Sequence, residues 1–329
     1  MRSGKCIAAL IVAATVVAAG GTAGSAERNG TRFRQRQSPP PQAEGRAPGN
    51  GGPAQFVAEN GGRIAVVSAD TGRVVRYLTA ADGRGRATDP AVSNDGRTVW
   101  FSRVDGACAA HIASVPLSGG KEEAVPGSGE AGAEGTPLPR PGRPQVAFAR
   151  TGCKEQADDT ALIVSDLGGV EGHGQLGLLP LAWSRDGGHL LATTADGGEV
   201  RLLEMGKSGA ILASRALSGT DPTPDCRLQV VGFSPDDNDG YVAVRRCGPS
   251  GSQARRSLVL LDKGLAQRQT VVRLPRGQEF VDRLAFDTTG HSLLYSTASD
   301  DGVTLWLWRD GEVRRLGRPS RYRHPAWLP

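Results

Sequence analysis

Aromatic residues are scarce in this chain, and so are methionine and cysteine. Of 329 residues only 5% are Phe, Trp or Tyr, two are Met and five are Cys. Gly and Pro are instead abundant, with 46 and 21 residues. Many short strands joined by tight turns use Gly and Pro in this way, whereas helical bundles do not. The composition therefore favours an all-β fold.

Most of the chain also lacks an excess of basic charge, although the net charge is +5. Residues 1–53 contain seven basic side chains and only two acidic ones, so residues 54–329 carry 32 of each sign. A nucleic-acid-binding domain concentrates basic residues on the fold, where they neutralise phosphates. We therefore expect no nucleic-acid partner.

A long apolar run without charge occurs at the N-terminus. Arg2 and Lys5 precede an uncharged segment that ends in small residues near Ala26. This layout predicts a secretory signal peptide over residues 1–26, with an uncleaved membrane anchor as the alternative. Residues 27–53 are rich in Arg, Gln, Pro and Gly, and they predict a disordered basic linker that could associate with a membrane or the cell wall. We therefore expect an extracytoplasmic location.

An internal repeat is the most informative feature of the remaining chain. Each copy contains a small residue, a bulky residue and then a tight turn, which is Asp-Gly in the clearest copies. The bulky residues lie 41 to 53 residues apart, which matches four-stranded propeller blades. The copies include A-V-S-N-D-G from Ala91, A-W-S-R-D-G from Ala182, G-F-S-P-D-D from Gly232 and A-F-D-T-T-G from Ala285, and the bulky positions are Val92, Leu138, Trp183, Phe233, Phe286 and Trp327.

The two ends of the repeat region complement each other. The first repeat begins with a second strand at Gln55–Ala58, and the chain ends on a first strand at His324–Leu328. Adding the last strand to the first repeat would close a ring and remove its exposed edges. We therefore predict an all-β fold over residues 54–329: a six-bladed β-propeller of four-stranded blades, closed by the C-terminal strand joining the N-terminal blade.

The blade patterns resemble those of a known family. A-W-S-R-D-G, G-F-S-P-D-D and the final P-A-W are similar to the P-A-W-S-P-D-G motif of TolB-like (WD-repeat-like) propellers. The resemblance covers about residues 54–329 and implies the propeller fold in an exported bacterial member. Such propellers serve both as binding modules and as accessory domains of enzymes, so the resemblance implies no single activity.

Four cysteines lie beyond the signal segment: Cys108, Cys153, Cys226 and Cys247. An even number in an exported chain predicts disulfides. Cys226 and Cys247 bracket a predicted hairpin, and Cys108 and Cys153 each follow the second strand of neighbouring blades. We therefore expect the bonds Cys108–Cys153 and Cys226–Cys247. No Cys-x-x-Cys pair occurs, so the cysteines predict no zinc site.

Motifs for chemistry are few. No Gly-x-Ser-x-Gly elbow occurs, and the acidic stretch Asp236–Gly240 lacks the spacing of a calcium loop, so we expect a solvated turn there. The positions just before the bulky residues would lie at the channel mouth, where propellers commonly bind. Their charges are mixed, whereas a metal ion prefers a concentrated set of oxygen ligands. We therefore predict no metal site, no other cofactor and no catalytic residue. The candidate binding residues are Asp89, Glu134, Gln229, Asp282, Arg323 and His324.

These features together predict an exported, non-catalytic binding or scaffold module. We expect a monomer whose partner is a protein or a cell-wall glycan. The first alternative is a hydrolase or lyase that uses the channel, with or without a metal. The second is a structural or sensor ectodomain held by an uncleaved N-terminal helix.

Overall fold

The computed structural model describes residues 54–329 apart from 82, 84, 107, 127, 130–131, 153–159, 167–172, 218–220, 222, 236–239 and 250–252. The described residues form six four-stranded antiparallel sheets and no α-helix. Accordingly, no helix able to span a membrane occurs among them. The predicted signal peptide, the linker, Cys153 and most of the acidic stretch at 236–240 lie outside the described residues.

The sheets are the six predicted blades, numbered here along the chain, and each begins with the inner strand that lines the channel. Blade 1 contains β24 (Arg323–Trp327), β1 (Gln55–Asn60), β2 (Arg63–Ser68) and β3 (Val74–Tyr77); blade 2 contains β4 (Arg86–Val92), β5 (Thr98–Gly106), β6 (Ala109–Pro116) and β7 (Glu123–Ala124); blade 3 contains β8 (Ala133–Pro139), β9 (Gln145–Thr151), β10 (Thr160–Asp166) and β11 (His173–Leu176). Blade 4 contains β12 (Leu178–Trp183), β13 (His189–Thr194), β14 (Val200–Met205) and β15 (Ile211–Ala216); blade 5 contains β16 (Cys226–Phe233), β17 (Tyr241–Cys247), β18 (Arg255–Leu261) and β19 (Gln267–Arg273); blade 6 contains β20 (Glu279–Phe286), β21 (Ser292–Ser299), β22 (Gly302–Arg309) and β23 (Glu312–Leu316).

The middle strands of each blade are buried on both faces because neighbouring blades cover both sides. In β2 the four central residues are all buried, whereas the outer strand β15 is almost wholly exposed. The apolar clusters accordingly lie between blades, as where Phe56 of blade 1 packs in one cluster with Leu294 and Leu305 of blade 6. Burial on both faces explains why the middle strands read as continuous apolar runs rather than alternating ones.

The C-terminal strand closes the ring. β24 pairs antiparallel with β1, with Phe56 opposite Trp327 and Val57 opposite Ala326. The Trp327 indole N–H donates to the carbonyl of Ala285 in blade 6 at 2.8 Å, which ties the closing strand to the last blade. The predicted six-bladed, four-stranded ring and its closure are thus confirmed.

The repeated Asp-Gly turns join the first and second strands. In blade 4 the Asp186 carboxylate accepts hydrogen bonds from the Ser184 hydroxyl at 2.6 Å and from the backbone N–H of Gly188 at 2.9 Å. These bonds hold the pKa of Asp186 below its usual value. Gly187 takes a φ of 67°, a conformation that glycine adopts without steric cost.

One bulky position was predicted wrongly. In blade 3 the last pair of the inner hairpin is Pro139 with Val146, which corresponds to Val92 with Val99 in blade 2. Leu138, the expected residue, therefore lies one position too early. The copy in blade 3 contains several prolines, and the sequence pattern alone did not fix its register.

One of the two predicted disulfides is confirmed. Cys226 and Cys247 lie directly opposite each other at the start of β16 and the end of β17, and their sulfurs are bonded. Because Cys153 is outside the described residues, the Cys108–Cys153 bond stays a prediction.

Candidate functional site

The inner strands of the propeller are bulged where they line the channel. In four of them the first residue of the bulge is a non-glycine residue with positive φ. Such conformations are uncommon and often mark positions where a side chain is re-aimed. Three of these four residues belong to the predicted site. The residues and their φ values are Asp89 at 53°, Thr136 at 59°, Asp282 at 61° and His324 at 48°.

The bulges bring residues of three adjacent blades together around His324. Its Nε2 lies 3.1 Å from Oδ1 of Asp89 in blade 2 and 3.0 Å from Oδ1 of Asp282 in blade 6. Its Nδ1 lies 3.4 Å from Oε2 of Glu59 on β1. Arg323 completes the group, with Nη2 at 2.7 Å from Oδ1 of Asp282. We call these five residues the His324 cluster.

Further groups hold Glu59 in place. Arg86, at the start of β4, approaches Oε1 of Glu59 at 2.8 Å, and the Thr88 hydroxyl donates to Oε2 at 2.7 Å. The Thr88 hydroxyl oxygen is also 3.4 Å from Nδ1 of His324, so it can accept a hydrogen bond from the ring. Both oxygens of the carboxylate therefore have partners.

The electrostatics of the cluster favour its charged forms. Burial alone would raise the pKa of Glu59, but hydrogen bonds from His324, Thr88 and Arg86 lower it to about 2. Burial likewise opposes ionisation of Asp282, yet His324 and Arg323 hold the pKa of that carboxyl well below its usual value. Burial would lower the pKa of His324, but the facing carboxylates of Asp89, Asp282 and Glu59 raise it to about 10.

His324 is consequently a fixed cation at neutral pH. Both ring nitrogens face acceptor oxygens, which requires both to carry a proton. An imidazolium held in this way has no lone pair with which to accept a proton from a substrate. Its position lets this one cation form ion pairs with carboxylates of three blades.

An arginine lies across the channel beside the cluster. Arg283 belongs to blade 6, and its Nη1 donates to the carbonyl of Pro137 in blade 3 at 3.0 Å. Its Nη2 donates to the carbonyl of Asp89 in blade 2 at 3.4 Å. Burial lowers the pKa of Arg283, and the Asp89 and Asp282 carboxylates oppose that effect. The side chain therefore links blades on different sides of the ring.

Two of the six predicted residues lie apart from the cluster. Glu134 is buried in blade 3, where Arg150 approaches its Oε1 at 2.7 Å and the Ser128 hydroxyl donates to its Oε2. Gln229 is exposed on β16 in blade 5. The structure thus brings together Asp89, Asp282, Arg323 and His324, and the binding role of all six residues stays a prediction.

Residues that the sequence did not single out complete the site. Glu59 lies on the second strand of blade 1, and Arg86, Thr88 and Arg283 flank predicted residues by one to three positions. The nearness of Arg283 to Asp282 in sequence was a usable signal. Glu59 gave none, because only the pairing of β24 with β1 places it beside His324.

A cleft opens next to the cluster on the face where the inner strands begin, which we call the entry face. Its volume is about 240 Å³. The β1–β2 turn supplies one wall with Gly61 and Gly62, which carry no side chain. Cationic groups supply much of the rest: the lining residues are Glu59, Gly61, Gly62, Arg86, Ser320, Arg321 and Arg323.

The described residues contain no group of three or more His, Cys, Asp or Glu side chains that could hold a metal ion. In the His324 cluster the carboxylates face an imidazolium and guanidinium groups, so cations of the protein already occupy the positions around them. The arrangement can bind an anionic or hydrogen-bonding ligand through the exposed parts of its arginines. The side chain of Arg86, for instance, is 70% exposed.

Comparison with known proteins gives matches in structure only. Neither a protein-family model nor a curated protein sequence matches the chain. TolB from Acinetobacter baumannii is similar with a TM-score of 0.59 at 14% identity, over 84% of this chain and 67% of that one. A structure described as TolB from Agrobacterium tumefaciens gives 0.51 at 12% identity, and a chain of the nidogen–laminin complex gives 0.50 at 12% identity; each covers 84% of this chain and 99% of the other.

Identities of 12–14% establish the fold and nothing finer. The six closed blades agree with the structural matches. The chain has the fold of the TolB-like six-bladed β-propellers.

Proposed function

We propose that this chain is an exported, non-catalytic scaffold that binds a protein partner on the entry face of the propeller. The observation that carries the proposal is the arginine-lined cleft beside the His324 cluster. Arg86, Arg321 and Arg323 present guanidinium groups there, and only Glu59 contributes a carboxylate. Guanidinium groups bind carboxylates with paired, charge-assisted hydrogen bonds. An acidic segment of a partner therefore fits the cleft better than a neutral wall glycan does.

The state of His324 supports a binding role over a channel hydrolase. A general base must accept a proton, and His324 is held as an imidazolium by three carboxylates. Arg283 lies beside it, and its guanidinium group is engaged by backbone carbonyls of blades 2 and 3. A rigid centre with balanced charges of this kind keeps the blades in place, while the entry face makes the contacts with the partner.

The similar structures support a protein as the partner. One of them is a chain of a complex between nidogen and laminin, which is a complex of two proteins. The likeness is one of fold, so it raises the expectation for a protein partner and leaves its identity open.

An extracytoplasmic location has two independent supports. The N-terminal sequence has the layout of a secretory signal, and disulfides persist in oxidising compartments such as the periplasm and the exterior of the cell. N-terminal sequencing of the exported protein tests whether residues 1–26 are removed. Deleting residues 27–53 and measuring retention in the envelope tests the proposed association of the linker, and light scattering tests the proposed monomer.

The test of the binding proposal is crosslinking in the native envelope, followed by purification and mass spectrometry. The wild type is compared with R86Q/R321Q, which removes two cations from the cleft, and with K263Q/R268Q. Lys263 and Arg268 are exposed at or near the β18–β19 turn, away from the entry face, so the second variant is a matched control for charge. We expect a protein partner that is lost from R86Q/R321Q and retained by K263Q/R268Q. The same recovery from all three folded proteins would refute a role for the cleft.

A further inference from the structure

A row of arginines crosses blade 5 at its entry-face end. Arg227 of β16 lies directly opposite Arg246 of β17, and Arg246 lies directly opposite Arg256 of β18. Residues directly opposite in antiparallel strands point to the same face of the sheet, about 5 Å apart. Three guanidinium groups therefore share one face and one level of the blade. We call these three residues the arginine row.

The arginine row faces the groove between blades 5 and 6. Val242 and Leu258, which have the same alternation as Arg246 and Arg256 on their strands, pack in one cluster with Leu293 and Tyr295 of blade 6. Arg256 donates to the carbonyl of Gln278 at 3.3 Å, just before β20 of blade 6 begins. The groove is thus closed by apolar packing below and lined by cations at the entry face.

Carboxylates of the described residues neutralise only part of the positive charge of the arginine row. Arg256 is buried and forms an ion pair with Glu279. Arg227 is exposed and Arg246 half-buried, and neither has a carboxylate within 4 Å among the described residues. Like charges directly opposite one another in a sheet destabilise it. A ligand that brings carboxylates to Arg227 and Arg246 would relieve that repulsion.

The disulfide fixes the geometry of this pair. Cys226 and Cys247 are bonded to each other and immediately adjoin Arg227 and Arg246 in their strands. The covalent bond holds the end of the β16–β17 hairpin closed, so the two guanidinium groups cannot move apart by fraying of the strands. A fixed spacing lowers the entropic cost of binding a ligand with two acidic groups.

We propose that the arginine row is a second binding site on the entry face and that it takes an acidic peptide segment. Gln229 lies two residues after Arg227 on the same face of β16 and is exposed. Its amide can both donate to and accept from a peptide backbone, whereas a phosphate polymer offers it no N–H donor. The pairing of two guanidinium groups with an amide therefore favours a peptide. The proposal rests on the proposed function, because it names the class of segment that the protein partner would supply.

The test is a titration of the full-length protein with a fluorescein-labelled octaglutamate peptide, followed by fluorescence anisotropy. Octaglutamine is the uncharged control ligand, and K263Q/R268Q is the control variant with the same charge change elsewhere. We expect R227Q/R246Q to weaken binding at least tenfold, and R227K/R246K to weaken it several-fold because lysine lacks the bidentate fork. K263Q/R268Q should change the affinity less than twofold. R227Q/R246Q should melt at or above the wild-type temperature, since it removes a repulsion.

Several results would overturn this site. They are absence of octaglutamate binding, equal losses in R227Q/R246Q and K263Q/R268Q, or no loss in R227Q/R246Q. Loss in R86Q/R321Q alone would move peptide binding to the cleft, which refutes the second site and leaves the proposed function standing. Inorganic polyphosphate is the competing probe: if it binds more tightly than octaglutamate and Q229A affects neither, the ligand is a phosphate polymer and the peptide proposal is wrong.

Discussion

Replacing His324 by Asn removes the cation that ties blades 1, 2 and 6 together. Asn tolerates the left-handed backbone that His324 adopts at φ 48°, so the substitution changes charge with little added backbone strain. It leaves Glu59, Asp89 and Asp282 facing one another with less compensation. We expect H324N to fold with a large loss of stability near neutral pH.

The size of that loss follows from the proton-binding equilibria. The pKa of His324 is about 10 in the folded protein against an ordinary 6.5, which corresponds to about 5 kcal/mol. The pKa of Glu59 is about 2 against an ordinary 4.5, which corresponds to about 3 kcal/mol. The two figures describe overlapping contacts and do not add. We therefore expect a loss of about 3–5 kcal/mol, the range found when one partner of a buried ion pair is removed.

The loss should depend on pH in a defined way. Because folding raises the pKa of His324, its contribution is fully present below pH 6.5 and is lost as the pH rises toward 10. Because folding lowers the pKa of Glu59, its contribution is present above pH 4.5 and is lost as the pH falls toward 2. The difference between wild type and H324N should therefore be largest between about pH 4.5 and 6.5 and should nearly vanish at pH 10.

Urea unfolding of both proteins between pH 4 and 10 measures this difference directly, since titration of groups that do not contact His324 cancels between them. H291Q is the control, because His291 lies in an exposed pair with Asp310 at 3.3 Å and should contribute less than about 1 kcal/mol. A wild-type advantage over H324N that stays constant from pH 6 to pH 10 would contradict the imidazolium assignment. A loss no larger than that of H291Q would contradict the importance of the cluster.

Three further changes test the fold. C226S/C247S opens a bridge between residues 21 apart in sequence and should lower the free energy of unfolding by about 3 kcal/mol, measured by urea under oxidising conditions; an unchanged midpoint would show that the bond adds no stability. G187A should lower the free energy of unfolding by at least about 1 kcal/mol more than G61A does. Both glycines have positive φ, but a Cβ at Gly187 would lie 2.6 Å from a carbonyl oxygen, whereas a Cβ at Gly61 would meet nothing within 4 Å. Equal losses in the two variants would refute the clash. W327F should lower the free energy of unfolding by about 1–3 kcal/mol in calorimetry, since it removes the N–H that donates to the carbonyl of Ala285 in blade 6. An effect smaller than that of a surface substitution would show that this contact does not stabilise the closed ring.

The fold could be predicted from sequence because its signals are local and repeated. The turn motif, the bulky residue before it and the following apolar run recur at blade spacing, and each reports on a few neighbouring residues. Ring closure followed from the predicted strands at Gln55–Ala58 and His324–Leu328, which the structure pairs as β1 and β24. The register of blade 3 was wrong at Leu138, because the proline-rich copy carries no Asp-Gly turn to align it.

The site was predictable only in part, because bulges change the count of residues along the inner strands. Between the paired residues that flank each bulge, β4 has two residues and β20 has three opposite a single partner residue, whereas β16 has one residue opposite none. Counting back from the bulky residue therefore selected Asp89 and Asp282, which do contact His324. It also selected Gln229, which lies on β16 of blade 5, away from the His324 cluster. Glu59 joined the cluster through a pairing between the two ends of the chain, which no local pattern records.

The most direct test of the central claim is site-specific photo-crosslinking in the native envelope. A photoreactive residue is placed at Ser320, which lines the cleft on the entry face, or at Asn94, which is exposed in the turn after β4 at the opposite end of blade 2. We expect a discrete protein adduct from position 320 that is lost with R86Q/R321Q, and no such adduct from position 94. An adduct from position 94 alone, or none from either position in the folded protein, would contradict binding at the entry face.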